Sequence, residues 1–184
     1  MCGRYYFETK TMPSGRSIKK ICEQLHINDY QEGEVFPGEK VLAFHRDHNR
    51  YLPKTFIWGI DTYYGKKIIN ARSESYHHKA TFVGMKPCVI ICNGFYEWHK
   101  FEHEHTRYYI HTDKPIYLAG IHNSEELVIL TGASKGEMKN IHERMPLIIS
   151  EQDVRDYLDG EYEPQVNDNG LIYDIYQPGM IQNQ

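Results

Sequence analysis

No run of about 18 consecutive apolar residues interrupts the 184-residue chain, so nothing in it reads as a membrane span. A charged-then-apolar leader is also missing, and so are repeats, Pro- or Gly-rich linkers and low-complexity tracts. The expectation is one domain over residues 1–184, near the upper end of what a single core organises. Positive charge is in deficit: 21 Lys and Arg face 25 Asp and Glu, a formal balance of −4. Indiscriminate affinity for nucleic acid needs many Lys and Arg on phosphates, so any basic track here must be narrow. Cysteine is scarce and shows no framework spacing at positions 2, 22, 88 and 92, which points to a reducing cytoplasm.

What is present favours a packed core: 40% apolar and 25% charged residues, with 15 Tyr and 11 His supplying rings that will sit half-buried. Residues 3–8 predict a short aromatic strand. Residues 16–26 predict an amphipathic helix burying Ile18, Ile21, Cys22 and Leu25 at three-and-four spacing. Gly33 to Gly38 reads as a turn-rich connection, followed by strands at 40–45 and 55–60. Short runs rich in Val, Ile, Tyr and Leu at 87–93, 107–111, 115–121 and 127–131 then give the pattern of a meandering sheet or barrel. Ser150 and Asp153 resemble a capping box opening a helix to about Leu158, and residues 172–176 predict a last strand. The fold class is α+β: a β-dominated, barrel-like antiparallel sheet with a few flanking helices.

Four stretches concentrate chemistry. In Met1-Cys2-Gly3-Arg4, removal of Met1 would leave Cys2 with a free α-amine and a thiol on adjacent carbons. The amine, with a pKa near ~7.7–8.0, can condense with an aldehyde to an imine, which the thiol closes into a thiazolidine. The plain alternative is an ordinary cysteine near a frayed terminus. Ile69 to Ser75 gathers an amide (Asn70), a guanidinium (Arg72), two hydroxyls and a carboxylate, and fits either a site or a solvated loop with an internal ion pair. In Cys92-Asn93-Gly94-Phe95-Tyr96-Glu97-Trp98 the chain is expected to leave a buried strand and turn at Asn93-Gly94. Glu97 then sits among rings that would raise its pKa toward acid–base use, or it is structural. In Asn140 to Pro146, His142 and Arg144 lie two apart and would share one side of an extended segment, the first moving protons and the second holding an anion, or His142 is simply structural.

A metal is not expected. Cys88 and Cys92, four apart on a strand, stand roughly 13 Å apart at ~3.3 Å per residue, beyond the span of one zinc ion unless the chain turns tightly. His99, His103 and His105 complete no better set, and Glu102 to His105 reads as a solvated hairpin turn.

Met-Cys-Gly-Arg at the start, Asn-Ala-Arg-Ser-Glu, Gly-Phe-Tyr-Glu-Trp and His-x-Arg-Met-Pro, in that order, resemble the SRAP (SOS response-associated peptidase) family, with Pro37-Gly38 and Trp58-Gly59 as further matching positions. Ser75 replaces the usual Thr, and residues 60–64 lack the family's Pro and second Trp. The resemblance implies a β-rich, barrel-like single domain acting on single-stranded DNA that carries abasic sites. Cys2 would form a thiazolidine crosslink with the ring-opened sugar aldehyde and so shield the lesion. It implies Asn70, Glu97 and His142 as active-site residues beside Cys2, and Arg4, Arg72 and Arg144 as phosphate contacts. Pro37, Trp58 and Trp98 would be apolar faces for bases. No cofactor, metal or membrane is implied, protein partners are left open, and the expected location is the cytoplasm, on the nucleoid once crosslinked. Competing readings are a cysteine peptidase with Cys2 as nucleophile, including self-processing, and a noncatalytic DNA-binding module.

Overall fold

The computed structural model describes residues 2–101 and 104–177. In chain order its elements are β1 (Tyr5–Phe7), α1 (Gly15–Gln24), β2 (Gly33–Val35), β3 (Lys40–Asp47), β4 (Arg50–Trp58), β5 (Ile60–Asp61), β6 (Lys67–Ile68), β7 (Asn70–Arg72), β8 (Lys86–Phe101), β9 (Glu104–His122), β10 (Glu126–Ala133), α2 (Met138–Ile141), β11 (Arg144–Pro146), β12 (Ile148–Ile149), α3 (Val154–Asp159) and β13 (Ile172–Ile175). Two single-turn 3₁₀ segments, Tyr76–His78 and Ala80–Phe82, lie between β7 and β8.

Pairings run β8–β9–β10–β4–β3 and back to β8, a barrel-like ring with β1 and β2 extending the sheet beyond β8. The sheet is mixed rather than purely antiparallel, because β10 pairs in parallel with both β4 and β7. Strand alternation explains the interior. Phe95 and Ile110 face each other across β8 and β9 and are fully buried, as are Val41, Phe56, Leu118 and Ile129 from the other ring strands. Each such side chain withdrawn from water contributes about 1.5–3 kcal/mol. Cys2 and Cys92 belong to the same core cluster.

Several local expectations are corrected. Gly33–Val35 is not turn but strand, paired with β1 through Tyr5↔Val35, and the turn begins only at Phe36. There Pro37 and Gly38 (φ 93) occupy the central positions and the Glu39 N–H donates to Phe36 O at 3.2 Å, the chemistry of a type II turn. Ile18 and Cys22 of α1 are buried as expected, but Ile21 and, just past the helix, Leu25 are exposed: the buried stripe is narrower than the apolar spacing. Gly59 (φ 105) ends β4 at Trp58, so Ile60 falls in the separate β5–β6 hairpin, at whose turn Tyr63 and Tyr64 stand 98% and 87% exposed.

The expected turn at Asn93-Gly94 is a bulge inside the continuous strand β8. Asn93 Oδ1 accepts the Glu8 N–H at 2.7 Å, tying the bulge to the chain just past β1. Opposite it, 107–111 and 115–121 are one strand, not two. Thr112 Oγ1 donates to Lys114 O at 2.6 Å and accepts the Lys114 N–H at 3.2 Å, so the four-residue excursion bends β9 without breaking it. Gly94 is required here, since a Cβ would meet the Tyr109 ring at 2.6 Å. The expected turn at Glu102 to His105 lies partly outside the described residues, and Glu104 and His105 already belong to β9. Ser150 and Asp153 do bond, Ser150 Oγ donating to the carboxylate at 2.7 Å, but in the turn preceding α3, whose first helical residue is Val154.

Candidate functional site

The geometry around Cys2 is set by three elements. The Tyr96 N–H donates to Arg4 O at 2.9 Å, continuing the β1–β8 ladder toward the terminus and carrying Cys2 along the far half of β8. From the other side, β7 pairs with β10 through Asn70↔Ile129, and Asn70 Nδ2 donates to Cys2 O at 2.9 Å. Cys2 is fully buried, and burial pushes its thiol well above the usual range, the Glu97 charge adding to the effect. Asn70 Oδ1 is buried with no hydrogen-bond partner among the described residues, a cost of about 1–3 kcal/mol that a hydroxyl or amine could relieve.

Glu97 lies on the inward side of β8, 2% exposed, with Phe95 two residues away on the same face. Burial is the main cause that pushes its carboxyl up from an ordinary 4.5 to about 7, against a hydrogen bond from the Trp98 N–H that favours the anion. The sign follows: the folded state prefers the protonated acid. The stability contributed by Glu97 is therefore complete below about 4.5 and is lost as pH rises through about 7. A buried carboxyl poised at neutrality can give and take protons without moving.

His142 follows directly on α2, which packs against β8. His142 Nδ1 lies 3.0 Å from the Arg144 N–H and 3.1 Å from Arg144 O, so the Arg144 backbone fixes the ring. Arg144 differs from the expected open phosphate contact. Its side chain is buried, donating to Thr131 O at 2.6 Å and gripping the two oxygens of Glu74 at 2.7 and 2.9 Å. That fork holds the Glu74 carboxyl down at about 2. The ion pair expected within the Ile69–Ser75 loop is not internal: Glu74 pairs with Arg144 of β11 instead. Arg72 is exposed, and no ion pair or hydrogen bond engages its guanidinium among the described residues.

The aromatic faces also divide. Trp58 is fully buried, its indole N–H donating to Ile69 O at 3.0 Å and its ring against Tyr5, so it is a core residue and offers no face to a base. Trp98 is half-buried, Pro37 is half-buried and Phe36 beside it is exposed. Arg4 lies over both Phe36, at 4.2 Å, and Trp98, at 5.2 Å, while its Nη1 donates to Glu34 at 2.8 Å. One residue escaped the sequence reading. Arg107 donates to the same Glu34 oxygen and lies 3.9 Å from the Tyr96 ring, 4.0 Å from Tyr176 and 5.4 Å from Trp98. The only signal for it was parity: Arg107 sits opposite Trp98 across β8 and β9, so it shares a face with a residue already suspected.

All four cysteines are free thiols, and no group of three or more His, Cys, Asp or Glu could hold a metal ion among the described residues. Among those residues no helix is long and apolar enough to cross a membrane.

The family model described as SOS response associated peptidase (SRAP) matches residues 1–179. The chain is similar to the abasic site processing protein YoqW of Bacillus subtilis (strain 168), 26% identical with 97% of this chain and 87% of the relative covered. It is also similar to the abasic site processing protein YedK of Escherichia coli (strain K12), 30% identical with 67% and 63% covered. A crystal structure of a protein from Bacteroides thetaiotaomicron matches with a TM-score of 0.74 at 15% identity, covering all of this chain and 95% of the other. A phage-related protein from Bordetella bronchiseptica matches at 0.66 and 22%, with 86% and 82% covered. At such identities these two structures establish the fold. With the family model spanning nearly its whole length, the chain belongs to the SRAP family.

Proposed function

We propose that the chain captures abasic sites in single-stranded DNA by forming a thiazolidine at Cys2 after removal of Met1. The observation that carries this reading is the seat of Cys2: its carbonyl is held by Asn70 at 2.9 Å, and its thiol lies within electrostatic reach of a carboxyl buried at about 7. Relatives over most of the chain's length are named abasic site processing proteins, which supports the substrate.

The residues then divide the work. The sugar at an abasic site is a closed hemiacetal. Protonated Glu97 gives its proton to the ring oxygen as the anomeric C–O bond breaks, and the anomeric hydroxyl loses its proton, leaving an aldehyde. The Cys2 amine adds to that carbon, and the resulting carbinolamine loses one water to give an imine. The Cys2 sulfur then adds to the imine carbon and the thiol proton ends on nitrogen. One C–N and one C–S bond form for one water released. Because burial keeps the thiol protonated, it needs a nearby base at this stage, and Glu97, by then ionised, is placed to serve. Asn70 fixes the residue that carries both nucleophiles, and its unpaired Oδ1 is an acceptor for the amine or a sugar hydroxyl. His142, its ring locked by the Arg144 backbone, passes protons at the imine stage. Arg4 and Arg72 hold flanking phosphates, whereas Arg144 positions the Glu74 loop and His142.

The peptidase reading would draw on the same buried thiol and the same neighbouring base, but it needs no lesion in the DNA. The test is a denaturing gel of the protein with single-stranded DNA bearing one abasic site, beside the same strand without it. A band that survives denaturation only with the lesion is expected. No such band would end the proposal.

A further inference from the structure

His142 is presented by a structure too small to hold itself in place. α2 is a single turn, Met138–Ile141, and one turn does not stand alone, because nucleating a helix costs more than its first hydrogen bond returns. The His142 N–H donates to Met138 O at 2.9 Å, so the position of Met138 sets that of the histidine. Met138 is fully buried and Ile141 is buried with it, in the core cluster that also holds Cys2 and Phe95. What covers α2 therefore decides where the imidazole stands.

The cover comes from the end of the chain. Between α3 and β13 the chain runs back past β10, where Val166 lies so close to Gly132 that a Cβ there would meet it at 2.3 Å. Asp168 then sets its carboxylate against Gly136 (φ 50), in the loop before α2: a Cβ on that residue would lie 1.8 Å from Oδ2. Leu171 and Tyr173 follow, both packed on the cluster that contains Met138 and Ile141. Tyr173 of β13 is opposite Ile110 of β9, itself opposite Phe95 of β8, so its side chain lies on the inward face, in the row next to Glu97 and Tyr108. Met138 is the first residue of α2, and its N–H has no carbonyl to bond within the helix. The Tyr173 oxygen is buried beside that N–H, short of a hydrogen bond of ordinary geometry. Burial, then the charges of Asp168 and Glu137, push the phenol up to about 12, so the hydroxyl stays neutral near pH 7.

We infer that Tyr173 is a positioning residue for His142: its hydroxyl seats the N-terminal end of α2, and through Met138 it fixes where the imidazole meets the forming imine. The inference rests on the proposed crosslinking at Cys2, in which His142 moves protons, and adds a second support for that ring besides the Arg144 backbone. Tyr173 does not touch the substrate and acts only through α2.

The test uses full-length protein and two single strands, one with an abasic aldehyde and one with a tetrahydrofuran abasic analogue, which has no aldehyde and reports noncovalent affinity. Tyr173→Phe removes the hydroxyl and keeps the ring. It is expected to leave Tm and affinity for the tetrahydrofuran strand in place while crosslinking slows roughly tenfold, short of the ~10² that a misplacement of about 1 Å can cost. In a double-mutant cycle, Tyr173→Phe should add no further loss to His142→Ala. NMR of the free protein gives a second readout: the His142 imidazole signals should shift in Tyr173→Phe, while those of His122, at the other end of β9, stay where they are. Unchanged crosslinking, or an unmoved His142 signal, would overturn the inference. So would an equal loss in the His142→Ala background, or a loss matched by a fall in both affinity and Tm, the mark of a residue that only packs the core. A wild-type protein that forms no adduct would end the crosslinking reading instead, and the His142 signals would then decide the positioning by themselves.

Discussion

Cys2→Ala is expected to remove the denaturation-resistant adduct entirely, while noncovalent affinity for an abasic strand changes little. The covalent step uses both nucleophiles of Cys2, but binding energy comes from phosphate contacts, which the substitution leaves in place. The fold should tolerate the change, because the Asn70 bond is to the backbone carbonyl and survives. Cys2→Ser refines the expectation. It keeps the amine, so the imine forms, but a hydroxyl closes the ring poorly, and borohydride should trap an adduct that is otherwise labile. A stable, untrapped adduct at wild-type yield in either variant would contradict the assignment of the thiol.

Glu97→Gln is expected to slow crosslinking by roughly 10²–10⁴, the usual worth of a positioned acid–base group, with little effect on affinity. Its pH profile is more telling than its magnitude. If opening of the sugar limits the rate together with attack by the free amine, the working form has Glu97 protonated, below about 7, and the amine unprotonated, above ~7.7–8.0. The wild-type rate should then peak near ~7.4, between the two, and fall toward tenfold per pH unit on each side. In Glu97→Gln the alkaline fall disappears and only the rise with amine deprotonation remains. A variant that keeps the alkaline fall would show that another group supplies the acid; one that loses affinity at full rate would show that Glu97 binds rather than reacts.

How much of this was legible in the sequence depended on whether short-range pattern or long-range pairing decided the outcome. Most of the long strands, the start of α1 and the last strand followed from periodicity, whereas Gly33–Val35 and the continuity of β9 did not. Asn70 illustrates what could not be read. Its bond to Cys2 spans 68 positions and depends on β7 pairing in parallel with β10, a register that no local pattern encodes. Trp58 and Arg144 were misplaced for a related reason. Both look like exposed binding groups in their motifs, but the Trp58 indole has an internal acceptor at Ile69 and the Arg144 guanidinium has Glu74, so burial leaves neither unsatisfied. Composition gave no hint of Arg107 either: against a formal charge of −4, the local positive imbalance arises only because the ladder sets Arg4 and Arg107 on one Glu34. The bulge at Asn93-Gly94 has the residues of a turn, and the side-chain tie from Asn93 to Glu8 is what keeps the strand running on to Glu97.

The central claim is that amine and thiol act from one residue, and an insertion tests it most directly. A Gly-Ser pair placed between Met1 and Cys2, in a form verified by intact mass to be untrimmed, keeps the thiol and every other side chain but turns the Cys2 amine into a non-nucleophilic amide. The wild-type protein should lack Met1 and give an adduct whose mass is protein plus DNA less one water. The insertion variant should give no adduct while still binding the tetrahydrofuran strand. Full crosslinking by the verified, untrimmed variant would show that the Cys2 amine is dispensable and would contradict the mechanism.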